Sequence, residues 1–244
     1  MSKTEKAKVY FTDFHTIAFG DGLPTKLKKL IRKAGIGSID MDGKFVAIKM
    51  HFGELGKYQL SASELCQSRV DVIKELGGKP FLTDCNTMYP GSRKNALEHL
   101  ECAWENGFTP LTVGCPIIIG DGLKGTDDIA VPVAGGEYIK EAKIGRAVMD
   151  ADVFISLTHF KGHEMTGFGG TIKNIGMGCG SRAGKTDQHS NGKPHIKEKL
   201  CRGCRRCQKE CANSGLVFDE ASRKMHVDGE HCVGCGQVSR RLQL

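Results

Sequence analysis

Residues 45–83 read FVAIKMHFGELGKYQLSASELCQSRVDVIKELGGKPFLT. An apolar run, FVAIKM at 45–50, reads as a strand. Ser61–Leu76 carries helical periodicity, opens on a Ser cap and stops at Gly77-Gly78, and Pro80–Thr83 is a second short strand. The alternation continues on both sides. Lys8–Thr12 (KVYFT) reads as a strand and Leu23–Lys33 as an amphipathic helix. Arg93–Glu105 is a helix ending at Gly107, Cys115–Ile119 a strand, Glu137–Met149 a helix and Val153–Leu157 (VFISL) a buried strand. Strands separated by helices of this length predict an α/β fold, a mostly parallel sheet with helices on both faces.

The chain has 244 residues, 39% of them hydrophobic, which is enough for a sizeable core in one or two domains. No apolar run reaches the roughly 18 residues of a membrane-crossing helix. The start, MSKTEKAKVYF, lacks an apolar leader core, so a cytoplasmic protein without membrane attachment is expected. The net charge of +7 suits an anionic ligand or acidic partner as well as an ordinary solvated surface. No nucleic-acid motif accompanies it, so nucleic acid is not expected as a partner. The 32 glycines are roughly 13% of the chain against a usual ~7%. They crowd 162–192, where Phe168, Ile172, Ile175 and Met177 argue for backbone shaped around a ligand rather than a linker. The α/β domain with this site loop spans 1–192, and a smaller unit occupies 193–244.

That smaller unit holds six of the eleven cysteines. Residues 201–211 read C-x-x-C-x-x-C-x-x-x-C, the spacing that wraps thiolates around a 4Fe-4S cluster; a zinc knuckle is the alternative. By the two-cluster rule Cys201, Cys204 and Cys207 serve one cube and Cys211, Cys232 and Cys235 the other. Val238 stands where a further cysteine belongs and the tail QVSRRLQL departs from the pattern. The unit therefore reads as an incomplete ferredoxin-like module, cut short at Leu244. Arg202, Arg205, Arg206 and Lys209 among the ligands would suit an acidic electron carrier, ferredoxin or flavoprotein.

Polar residues follow the predicted strands: His51 and Glu54, then Asp84, Asn86 and Thr87, then Asp121, then His159, Lys161 and His163. Ligands of open parallel sheets bind beyond the carboxyl ends of the strands. His51, Asp84, His159, His163 and Lys173 are the candidate catalytic residues. Gly167, Gly169, Gly170 and Asn174 are candidates for holding a cofactor or anion.

The stretches HFKGHEMTGFGGTIKNIGMGCGSRAGK (159–185), LTDCNTMYPGSR (82–93) and IIIGDGL (117–123), with the ferredoxin-type cysteines, resemble domain-of-unknown-function family 362, the iron–sulfur centre proteins. The resemblance implies an α/β domain joined to a cluster-binding module. A fainter resemblance links His159, His163, Gly169-Gly170 and Lys173 to the nickel-pincer lactate racemases, with the histidine spacing one residue shorter. It implies a histidine as proton-transfer base and the lysine as anchor for an anionic group.

Two functions follow as expectations. The first is an iron–sulfur protein of the electron-transfer or redox class, with a small-molecule site at the sheet's carboxyl edge. The alternative is a non-redox, racemase- or isomerase-like enzyme at His159, His163 and Lys173 with a structural cysteine module. An uncovered sheet edge would also permit a homo-oligomer.

Overall fold

The computed structural model describes residues 6–55, 62–89, 91–163, 166–189, 194–211, 214–229 and 231–232, with Val238 and Leu242. In chain order the first elements are α1 (Leu23–Lys33), β1 (Phe45–Lys49), α2 (Ala62–Glu75), β2 (Lys79–Asp84), α3 (Ala96–Glu105), α4 (Pro110–Val113) and β3 (Ile117–Ile119). Then come β4 (Asp128–Pro132), β5 (Glu141–Gly145), α5 (Arg146–Met149), β6 (Val153–Ser156), β7 (Lys161–His163), β8 (Gly167–Gly169), α6 (Thr171–Gly176) and α7 (Arg182–His189). The cysteine-rich stretch contributes α8 (Arg206–Lys209), β9 (Leu216–Asp219) and β10 (Lys224–Val227).

Four strands pair in the order β3-β2-β1-β6, all parallel. The chain is thus an α/β protein with a parallel sheet flanked by helices. Ile48 stands level with Leu82 on one side and Ile155 on the other. Side chains alternate across a pleat, so Val46, Ile48, Met50 and Leu82 share one face. They pack there against Cys66, Val70 and Ile73 of α2 in the main core. The alternation turns Lys49, level with Thr83 and Ser156, to the opposite face, beside the site.

The helix expected over 137–149 is broken: 137–140 is irregular and a strand follows. Glu141–Gly145 pairs antiparallel with β4, and only Arg146–Met149 is helical. Gly135 turns the chain with φ +72°, and the apolar positions of β4 and β5 meet across the hairpin. At Gly145 a Cβ would stand 2.9 Å from the Gly120 backbone, an approach that a side chain forbids. Lys8–Thr12 forms no strand, with Val9 90% and Phe11 84% exposed: no described strand receives its backbone. The 93–105 helix begins at Ala96, where Asn95 accepts the Glu98 N–H at 3.0 Å as its cap. The glycine-rich stretch is more regular than its composition implied, holding the β7–β8 hairpin, α6 and α7.

Leu82 is fully buried between β1 and β3, whereas Phe154 is 37% exposed. Leu82→Ala should lower the unfolding free energy in urea by about 2–5 kcal/mol, and Phe154→Ala by about 1 kcal/mol or less. Equal losses would contradict the packing described.

Candidate functional site

A cavity of 290 Å³ opens where β1, β2 and β6 end. Lys49 closes β1 and Asp84 closes β2; Thr158 and His159 follow β6; the β7–β8 hairpin and α6 form the opposite wall.

The floor is a buried ion pair. Lys49 Nζ lies 3.0 Å from Asp84 Oδ1, and it donates to Asn174 Oδ1 at 2.9 Å and to the Met50 carbonyl at 3.0 Å. Asp84 Oδ2 faces Arg93 Nη1 at 3.5 Å and His99 Nε2 at 3.6 Å, and Arg93 also pairs with Glu54. Burial by itself would raise the Asp84 carboxyl. Lys49 and His99 overcome it and hold the group well below the usual carboxylate range. Asn174 commits its amide to the strands, its Nδ2 donating to the Lys49 carbonyl and to the hydroxyls of Ser156 and Thr158. Gly178 makes this close approach possible: a Cβ there would lie 2.7 Å from Lys49 Nζ.

His51 lines the cavity beside this pair. The surrounding protein, and after it the Arg93 charge, push the imidazole down to about 4. The His51 side chain is nonetheless exposed along the cavity, so solvent screens part of that effect. Its Nδ1 accepts the Gly53 N–H at 2.9 Å, so the neutral ring carries its proton on Nε2. His163 Nδ1 accepts the Thr166 N–H at 3.3 Å in the same manner. Burial, and then Lys161, lower the Lys173 ammonium.

Other strand-end groups hold the scaffold. Asp121 accepts from the Asn86 backbone and side chain at 2.8 and 2.9 Å and from the Arg182 N–H at 3.0 Å; burial raises its carboxyl. Lys185, buried and lowered by that burial, donates to the carbonyls of Gly180, Cys85 and Gly178. Burial pushes the Cys85 thiol up to about 12, which keeps it protonated.

The cavity therefore gathers His51, Asp84, His159, His163, Lys173, Gly169, Gly170 and Asn174. Gly167 adopts φ +75° at the hairpin and does not line it. Sequence reading missed Lys49, Arg93 and His99. A lysine within the apolar run FVAIKM was the available signal, because buried strands rarely carry an unpaired charge. Arg93 and His99 gave none, since their meeting with Asp84 depends on how α3 packs.

In the cysteine-rich stretch, Cys201 Sγ accepts the Met225 N–H at 3.4 Å and Cys211 Sγ the Gly215 N–H at 3.3 Å. The backbone donors Met225 and Gly203 lower the Cys201 thiol. Burial raises Cys207, and the neighbouring thiols of Cys201 and Cys204 raise it further. Cys232 packs its backbone on Gly215, beside Cys211: a Cβ at Gly215 would lie 2.6 Å from Cys232 Cα. Cys235 lies outside the described residues. Among the described residues no three His, Cys, Asp or Glu side chains meet closely enough to hold a single metal ion. Among them, too, no helix is long and apolar enough to cross a membrane.

A thylakoid-associated protein of Synechocystis sp., sll1697, is 26% identical over 154 residues, which are 59% of this chain and 42% of that protein. The lactate racemase apoprotein from Thermoanaerobacterium thermosaccharolyticum superposes with a TM-score of 0.44 at 13% identity, over 68% of this chain and 40% of that one. The chain thus spans less than half the length of either. The profile of DUF362, a domain of unknown function, matches residues 46–229, from β1 through the β9–β10 hairpin. The chain belongs to the DUF362 family.

Proposed function

We propose that the chain is an iron–sulfur protein of the redox class that acts on a small molecule held in the cavity at the sheet's carboxyl edge. The observation that carries the reading is the backbone N–H donation onto Cys201 and Cys211 sulfur. Such donation stabilises a thiolate, and hydrogen bonds to sulfur tune a bound cluster. Cys201 and Cys204 bear electrostatically on Cys207, and the Cys232 backbone packs on Gly215, whose N–H donates to Cys211. A cube spreads its ligands over its corners, so it asks for a looser gathering than a single ion does. Cys201, Cys204, Cys207, Cys211, Cys232 and Cys235 would hold 4Fe-4S clusters, which when bound would pass single electrons to or from the site. Arg205 stacks on Phe218 at 3.8 Å and pairs with Glu220, whereas Arg202, Arg206 and Lys209 stand exposed. Those three would dock an acidic redox partner, ferredoxin or flavoprotein.

Within the cavity, the chain's own groups move protons. His51, neutral at pH 7, donates from Nε2 to an oxygen of the bound molecule; His159 and His163 supply the transferable protons. This arrangement favours a second reading, a racemase- or isomerase-like reaction at His159, His163 and Lys173 in which the cysteine module is structural.

Protein purified anaerobically should contain iron and acid-labile sulfide and show the absorbance of a cluster. Cys204→Ser should remove about half or more of that iron. Stoichiometric zinc without sulfide would exclude the redox reading and leave the second. The His51 assignment has its own check. Its ring, followed by NMR titration, should have its midpoint below the ordinary 6.5. Glu54 raises the ring and Arg93 lowers it, so Glu54→Gln should move the midpoint down and Arg93→Gln up. A midpoint at or above 6.5 would remove His51 as a neutral donor.

A further inference from the structure

The two walls of the cavity differ in how their charges are met. On the β1–β2 wall Lys49 meets Asp84, and Arg93 meets Glu54 and Asp84. On the opposite wall Lys161 of β7 and Lys173 of α6 come together around Gly169. Lys161 stands level with Gly169 across the hairpin, and a Cβ at Gly169 would lie 3.9 Å from Lys173 Cδ and 4.0 Å from the His163 Cβ. Lys161 bears on Lys173 as a like charge. Among the described residues neither ammonium forms an ion pair, and Lys161 reaches only the Gly162 carbonyl, at 3.4 Å. Two cations side by side in a half-enclosed space repel, and a bound anion reverses that repulsion.

We propose that Lys161 and Lys173 form an oxyanion subsite, so that the small molecule handled here bears a carboxylate or a phosphate group. The inference rests on the cavity being the ligand site. Each ammonium donates to one oxygen of the anion, and Gly169 keeps the space between their stems open. The anion at this wall directs the rest of the molecule across the cavity toward His51. The β1–β2 wall competes poorly for it, because Lys49 and Arg93 are met by Asp84 and Glu54, and the buried Lys185 spends its ammonium on the carbonyls of Gly180, Cys85 and Gly178.

The test titrates the anaerobically purified full chain with inorganic phosphate and, separately, with propionate. It uses calorimetry for affinity and the histidine ring signals for location. At least one anion should bind saturably and shift the His163 signal. Lys161→Met and Lys173→Met should each weaken it by about tenfold or more, whereas Lys173→Arg should retain it within a few-fold. Preference for phosphate assigns a phosphate ester and preference for propionate a carboxylate. Undiminished binding in both methionine variants, with cavity histidines still responding, would overturn the subsite and leave the cavity reading standing. No response of any cavity histidine to either anion in the unaltered chain would overturn both.

Discussion

The buried pair of Lys49 and Asp84 is the constraint on which the site depends. Taking two charges out of water costs several kcal/mol for each ion, and only close geometry with further hydrogen bonds offsets it. Those conditions are met here: the Lys49 ammonium has three acceptors within 3.0 Å, and the Asp84 carboxylate also accepts the Cys85 N–H at 2.9 Å. The acceptors come from β1, β2 and α6, so one ammonium ties the two central strands to the segment that closes the cavity. Among the described residues, three buried atoms around the pair, Asp84 Oδ2, Arg93 Nε and His99 Nε2, have no hydrogen bond of their own. Buried polar atoms in that condition are expensive, and they occur preferentially where a structure serves chemistry rather than stability.

The surroundings of this pair also set the state of the imidazole above it. A proton added to the His51 ring meets lost solvation first and the Arg93 charge second, and Asp84 offsets these only in part. The Gly53 N–H then selects which nitrogen of the neutral ring keeps the proton. Tautomer and protonation thus follow from packing at the end of β1, not from the histidine itself.

Much of this was legible in the chain before folding. The strands at 45–50, 80–83 and 153–157 and the helix at 61–76 announce themselves by period and by the glycines that stop them. A parallel sheet then places His51, Asp84 and His159 at one edge. The 137–149 segment was not legible as strand, because its helical period was overruled by hairpin pairing with the preceding β4, a partner the segment's own period does not report. Lys8–Thr12 has strand composition and no described strand to pair with, which shows that alternation states a capacity rather than an outcome. Asp121 looked like a site residue by position, but its carboxylate oxygens are taken by Asn86 and Arg182 backbone donors. Only the completed hydrogen-bond pattern separates such a scaffold acid from Asp84.

The cavity accordingly divides into a part that is settled and a part that is open. On the β1–β2 side every charge has a partner, and Asn174 locks that side by bridging Lys49 to Ser156 and Thr158. Preorganised groups of this kind act on a ligand without first rearranging, which is how a site gains electrostatic leverage. On the hairpin side Lys161 and His163 sit on β7 and Lys173 on α6, and among the described residues neither lysine has an acidic partner. A floor of paired charges facing a wall of unpaired cations suits a molecule that is held by charge at one end and altered at the other, as proposed above.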